Sequence, residues 1–407
     1  MINMENQCKE VKMKISISVF IAVIALLGVS KYSQAQTWEI MIVDTLGSKN
    51  SIALDTLGLP HIAYEQPWYY DGWGKLRYAS WNGYGWETET VDSLYEHSVG
   101  FAPCLKFDSR NYPHIVYGKK PAPFICHLMY AKYNGTNWSI EHVPSVYPDY
   151  GPGEFTSLAL DSKDHPHIAG HAPGVEHLEY VADTGTGWYS EVIETYAGEG
   201  PSIALDEFDN PHISYPGHNP NVVKYAYYDG VWHFEVVDSS ELAWTSLALD
   251  QVGNPHISYI GDLSHELRYA VKGRGWEIET IDSLVGDGLS SLCLDSLGYP
   301  HIAYGAATLK YAVWNGIEWI IDTVDTGVSV GYPHMLSLTL DPSDRPHISY
   351  RTSSGVKYAT LADIHFPAVH VLYPNGGEVF EAGDTCDITW LATDNVGVDS
   401  VSILYST

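Results

Sequence analysis

The tripeptide Pro-His-Ile recurs seven times, at Pro60, Pro113, Pro166, Pro211, Pro255, Pro300 and Pro346, with steps of 53, 53, 45, 44, 45 and 46 residues. Such a period means that each repeat is one supersecondary unit, which buries its apolar face only by stacking on its neighbours. Five residues before each proline stands an aspartate: Asp55, Asp108, Asp161, Asp206, Asp250, Asp295 and Asp341. Two residues before it stand Gly58, Asn111, Asp164, Asp209, Gly253, Gly298 and Asp344. These residue types tolerate positive φ best, so the position is read as the left-handed residue of a tight turn. Runs such as Ser157-Leu158-Ala159-Leu160 before the turn, and Pro-His-Ile-Ser-Tyr after it, carry strand-forming composition.

A second hairpin follows in each repeat. A tyrosine (Tyr78, Tyr130, Tyr180, Tyr225, Tyr269, Tyr311, Tyr358) stands in each repeat, and in the first six a tryptophan (Trp86, Trp138, Trp188, Trp232, Trp276, Trp319) follows seven or eight residues later. Asn82-Gly83, Asn134-Gly135, Asp229-Gly230 and Asn315-Gly316 lie between them, as a two-residue hairpin turn requires. After the tryptophan comes Trp-x-x-Glu-x-Val, with Glu89, Glu141, Glu191, Glu235 and Glu279 at the third place, all read as solvated. Four short antiparallel strands per unit, seven times over, give an all-β fold: a seven-bladed β-propeller. The seventh repeat lacks its tryptophan strand, whereas Trp38-Glu39-Ile40-Met41-Ile42-Val43-Asp44 matches that pattern ahead of the first repeat. The N-terminal segment is therefore expected to supply the outer strand of the last blade, which removes an unpaired edge and closes the ring.

Composition narrows the function classes. With 21 basic and 50 acidic residues the net charge is −29, so a polyanionic partner such as nucleic acid is repelled. Five cysteines without Cys-x-x-Cys spacing suit neither a disulfide scaffold nor a zinc site. Lys9, Lys12 and Lys14 lead into the apolar run Ile15 to Val29, and Ser33-Gln34-Ala35 offers a cleavage site, so residues 1–35 are read as a secretory signal peptide. No later segment is apolar enough to span a bilayer. The expected domains are the propeller over residues 36–362 and a further module over 366–407, in a secreted or cell-surface protein.

That further module carries Pro374-Asn375-Gly376-Gly377-Glu378, Gly383, Ile388-Thr389-Trp390 and Asp394-Asn395-Val396-Gly397-Val398. It resembles the start of an immunoglobulin-like β-sandwich of secreted multidomain bacterial proteins, of which about 40 residues fall short of the roughly 100 a sandwich needs. The repeats over residues 37–361 resemble exported bacterial propellers distantly related to the Asp-box, sialidase-like families. The turn here reads Asp-x-x-Gly-x-Pro-His, one residue longer than an Asp-box and without its tryptophan. The six arginines (Arg77, Arg110, Arg268, Arg274, Arg345, Arg351) form no triad legible in the sequence.

Seven equivalent imidazoles spread round a disc cannot converge within the roughly 2.1 Å of one ion that zinc requires. The repeated histidines are expected instead to bond a neighbouring strand or the turn aspartate, and the aspartates to accept from the backbone two residues on. No catalytic set, metal or cofactor is read from the chain. Function should lie where the repeats differ. The first-to-second and third-to-fourth strand turns share one face of the disc, so the variable connections emerge on the other. There Trp68, Tyr69, Tyr70, Asp71 and Trp73, with Tyr147, Asp149 and Tyr150, put aromatic faces beside carboxylates, as a sugar-binding or protein-binding surface needs. The expectation is a non-catalytic binding or adhesion module for carbohydrate or a surface protein. A glycan-active hydrolase or lyase, or a structural spacer, are the alternatives. Cys104 and Cys126, about 9.6 Å apart by strand spacing, are out of disulfide reach, and Cys293 reads as a core thiol.

Overall fold

The turn chemistry is realised in every repeat. Asp55 Oδ1 accepts the backbone N–H groups of Leu57 and Leu59 at 2.9 and 2.8 Å, and Gly58 takes φ +78°. The equivalent Asn111, Asp164, Asp209, Gly253, Gly298 and Asp344 all lie at φ between 63° and 84°. The computed structural model describes residues 37–122, 125–147, 151–172, 175–218, 220–239, 243–261, 264–283, 285–286, 288–328, 335–362, 368–373 and 389–393.

Seven four-stranded antiparallel sheets follow in chain order. Blade 1 comprises Asn50–Leu54, Pro60–Gln66, Trp73–Trp81 and Trp86–Tyr95. Blade 7 takes Leu336–Leu340, Pro346–Thr352 and Gly355–Leu361, and its outer strand is Trp38–Asp44, with Met41 opposite Tyr358. The disc is thus closed by the N-terminal strand, and the compact unit runs from Trp38 to Leu361. In the other unit, Ala368–Tyr373 pairs antiparallel with Thr389–Thr393. The expected signal segment and most of the expected immunoglobulin-like module lie outside the described residues.

What holds blade to blade is a set of contacts repeated round the ring. Each repeat tyrosine meets the next blade's tryptophan edge-on. The pairs are Tyr78–Trp138, Tyr130–Trp188, Tyr180–Trp232, Tyr225–Trp276, Tyr269–Trp319, Tyr311–Trp38 and Tyr358–Trp86, at 5.3 to 5.5 Å. The outer-strand glutamates are more than solvated residues. Glu89, Glu191, Glu235 and Glu279 accept the indole N–H of Trp138, Trp232, Trp276 and Trp319 at 2.8 to 3.0 Å, and Asp322 does so for Trp38. The expectation failed because the acceptor's partner sits about 40 to 50 residues downstream, beyond any local pattern.

A second link runs through a β-bulge. Pairing of the third and fourth strands slips between Leu76 and Arg77, and likewise in blades 3 to 6, turning the following acid toward the next blade. Asp44, Asp92, Glu194, Asp238, Asp282 and Asp325 accept from the hydroxyls of Tyr64, Tyr117, Tyr215, Tyr259, Tyr304 and Tyr350 at 2.5 to 2.8 Å. The free edges of the inner strands, a source of unpaired N–H groups, are covered by serines. Ser51, Ser157, Ser202, Ser246, Ser291 and Ser337 accept the N–H of Leu105, Ile203, Leu247, Leu292, Leu338 and Ile52 at 2.9 to 3.2 Å. In blade 2 this place holds Cys104. These strands enclose a central channel of about 480 Å³. Cys104, Cys126 and Cys293 are free thiols. Cys293 donates to Leu338 O at 3.2 Å, and burial pushes its pKa up to about 11.

Candidate functional site

The connection between the second and third strands of blade 1 lies on the face opposite the fixed turns. It is a built loop. Gly72 N donates to Trp68 O at 2.7 Å, Glu96 N to Gly72 O at 2.7 Å, and Gly72 sits at φ +84° with Tyr95 packed against its Cα. Asp71 ties the loop to the sheet, accepting from Trp73 N at 3.0 Å, Gln66 Nε2 at 3.2 Å and the Lys75 ammonium. The lysine first, and then the Trp73 N–H, hold its carboxyl below the usual range.

On this frame Trp68, Tyr69, Tyr70, Trp73 and Tyr95 stay 43 to 61% exposed. Tyr69 and Tyr70 lie 4.8 Å apart, and Trp73 meets Tyr95 at 5.3 Å. Partial burial raises the Tyr69 phenol, Tyr70 adds to this, and the field of Arg351 opposes it. The shelf offers flat apolar faces with an oriented carboxylate and an ammonium at its foot.

Beside it, toward the channel, Lys49 pairs with Glu65 at 3.3 Å, and Glu65 also accepts from Ser98 Oγ at 2.6 Å. The Phe101 ring lies between Lys49 and Lys120, whose ammonium nitrogens stand 3.5 and 3.9 Å from its centroid, and Lys120 pairs with Glu154. Burial lowers the Lys49 pKa, against the pull of Glu65 and with help from Lys120 and Arg351. Glu65 and Arg351 share the sixth place of the Pro-His-Ile strand with Gly118, His171, Pro216, Ile260 and Gly305. That column varies in a strand whose first three places are the same in all seven repeats and whose fifth is tyrosine in six, and it is the signal in the sequence that could have pointed to this mouth.

Of the eight residues expected to bind, Trp68, Tyr69, Tyr70, Asp71 and Trp73 form one surface. Tyr147 lies apart, packed on His177 of blade 3 at 5.4 Å. Asp149 and Tyr150 lie outside the described residues. Two other rings near this face are packing groups: Phe155 and His171 are buried, 5.8 Å apart.

The seven repeated histidines share one arrangement. Nδ1 is hydrogen-bonded to the repeat tyrosine hydroxyl, at 2.6 Å for His61 with Tyr78, and Nε2 faces the turn aspartate at 3.4 to 3.9 Å. Burial pushes the His114 pKa down to about 4, and Lys132 adds to that against the pull of Asp108.

Neither a family model nor a curated protein sequence matches this chain. Among solved structures, the BP39L lectin from Burkholderia pseudomallei superposes over 77% of this chain and 95% of its own, at 9% identity and a TM-score of 0.56. Aleuria aurantia lectin covers 70% of this chain and 98% of its own, at 14% identity and TM-score 0.48. The Hadza microbial sialidase Hz136 covers 79% and 66%, at 12% identity and TM-score 0.43. Likeness at such identities is one of fold.

Proposed function

We propose that this chain is an exported, non-catalytic carbohydrate-binding propeller, and that its ligand lies on the shelf formed by Trp68, Tyr69, Tyr70 and Trp73. The observation that carries the reading is this cluster of half-exposed rings on a loop fixed by Asp71 and Gly72. Pyranose rings present C–H faces that stack on aromatic rings, and hydroxyls that Asp71 and Lys75 can bond. The lectin identity of the BP39L neighbour supports a sugar ligand. The carboxylates nearby, Asp71, Glu65 and Glu154, are each paired with an ammonium, an arrangement suited to orienting a ligand. The signal-like leader supports export, and display of such a shelf outside the cell amounts to adhesion.

Retention on a glycan array tests the reading. The double variant Trp68→Ala, Trp73→Ala should weaken retention at least tenfold while the melting temperature stays within about 1 °C, since exposed side chains contribute little to stability. Unchanged retention overturns the assignment of the shelf, and retention on a surface protein but on no glycan moves the ligand to that class.

A further inference from the structure

The fixed-turn face carries a cleft that no repeated feature explains. Between blades 3 and 4 the strand ends enclose about 400 Å³, lined by Asp161, His165, Asp183, Tyr189 and Glu191 of blade 3 and by Tyr228 of blade 4. This volume lies within the range of small-molecule sites. Asp161, His167 and Tyr180 form the bonded set that every blade repeats, and Tyr180 and Glu191 make the repeated link to the next blade's tryptophan. His165 and Tyr189 belong to this seam alone: their places hold Asn210 and His233 in blade 4, and Asn254 and Glu277 in blade 5, whereas the place of Tyr228 is aromatic in blades 1, 2 and 6 as well, as Trp81, Tyr133 and Trp314.

The next seam shows how such a space is closed. There Lys272 occupies the place of Tyr228, pairs with Glu235, and lies 5.5 Å over Tyr227, so its stem and ammonium fill the space. Glu235 is the equivalent of Glu191, since each accepts the indole N–H of the following tryptophan. Tyr228 instead folds onto its own Trp232 at 5.4 Å. Glu191 is left without a lysine, and the cleft stays open.

We propose that this cleft binds a neutral pyranose. Tyr189 and Tyr228 offer exposed aromatic surface at its rim, and ring faces of this kind take the C–H face of a sugar. His165 Nδ1 is engaged by Asp161 at 3.1 Å, which leaves Nε2 as that ring's remaining polar atom, and Asp183 uses one oxygen on Gly185 N at 2.9 Å. Three carboxylates against the single ammonium of Lys163 accept from hydroxyls and repel an anionic sugar. The proposal rests on the carbohydrate-binding reading and adds a second site on the opposite face, which would let one molecule bridge two glycans.

Saturation-transfer NMR on the full chain tests it with methyl glucoside, methyl galactoside and methyl mannoside, and with methyl glucuronide as the anionic control. At least one neutral pyranoside should give a signal and the glucuronide none. Tyr189→Ala should weaken that binding at least tenfold. Tyr228→Lys should abolish it while keeping or raising the melting temperature, because the new lysine reaches Glu191 as Lys272 reaches Glu235. Trp68→Ala with Trp73→Ala should leave it intact. No signal from any neutral pyranoside, a signal that survives Tyr228→Lys, or one lost only with the two tryptophans overturns the cleft. The last result leaves the shelf standing, and array retention lost with the tryptophans but kept in Tyr228→Lys separates the two sites.

Discussion

The seam where the chain's first strand meets its last repeat carries a defect that can be repaired. Trp86 opens the outer strand of blade 1, and its ring packs on Tyr358 at 5.4 Å like every equivalent tryptophan. Its indole N–H, however, is buried without a hydrogen-bond partner among the described residues. The reason is in the register. Met41 stands opposite Tyr358 as Glu89 stands opposite Tyr78, so a thioether occupies the place of the carboxylate that accepts from Trp138. A buried unsatisfied donor costs about 1 to 3 kcal/mol. Glutamate at position 41 supplies the acceptor and keeps much of the methylene stem, at the loss of part of Met41's packing, so the net gain should be about 1 kcal/mol.

The unit from Trp38 to Leu361 has 361 − 38 + 1 = 324 residues. At ~2.1 cal/mol/K per residue its unfolding entropy is roughly 0.7 kcal/mol/K, so 1 kcal/mol moves the midpoint by about 1.5 °C. Met41→Glu should therefore melt about 1.5 °C higher by circular dichroism. Glu279→Met, which orphans Trp319, should melt lower by a similar amount. Trp86→Phe closes a double-mutant cycle with Met41→Glu, and a coupling of about 1 kcal/mol is expected. Zero coupling, or a Met41→Glu chain that melts at or below the parent, refutes the reasoning even if Glu279→Met destabilises.

Two further outcomes follow from the repeated links. His61, His114, His167, His212, His256 and His347 all have their pKa lowered, burial being the first cause in each. The folded state thus binds fewer protons than the unfolded chain below pH 6.5, so stability is whole above that pH and falls toward pH 4. His114, from 6.5 to about 4, accounts for on the order of 3 kcal/mol of that loss. His114→Gln should flatten the dependence of denaturant midpoint on pH between 6.5 and 4, and an unchanged slope counts against it. Cys104→Ser should complete the serine ring with a better acceptor for the next inner strand. An expected gain of about 1 kcal/mol and slower amide exchange at Leu158 would appear together, and faster exchange there would contradict the ring.

Local chemistry made the fold legible. A left-handed turn residue, a hairpin Asn-Gly and an alternating strand are decided by neighbours within five or six positions, so Gly58, Asn82-Gly83 and the strand Pro60–Gln66 could be placed from the sequence. What remained hidden is what one blade does to another. The acid after the repeated valine, as in Val91-Asp92 and Val237-Asp238, stood in the sequence in six repeats. Its role depends on a β-bulge that strand alternation does not show and on a tyrosine of the following repeat. The loop face was legible as a location but not in its details. Whether Trp68 stays exposed while Phe155 is buried depends on how each connection folds back, and composition says nothing about that.

Uniformity among the repeats is itself an energetic statement, because each position that must fit the next blade meets nearly the same surroundings seven times. Departures therefore mark where that fit has been given up, and blade 3 carries them at both of its ends. On the loop face, Gly170 replaces the latch tyrosine and Pro152 packs so close that a Cβ there would lie 2.5 Å from its carbonyl oxygen. Glu179 replaces the usual cation and, fully buried, accepts from Ser145 Oγ and Val146 N at 2.9 and 2.6 Å, so the connection from blade 2 is bonded where the tyrosine latch would lie. On the turn face, His165 and Tyr189 line the open cleft. Both ends of one blade have left the repeated pattern, the loop end by packing the connection from blade 2 in place of the latch, the turn end by leaving a cleft open. A spacer has use for the first change but none for an open cleft, since its blades have only each other to fit, and the turn end is therefore the departure that favours a ligand-binding disc over a purely structural one.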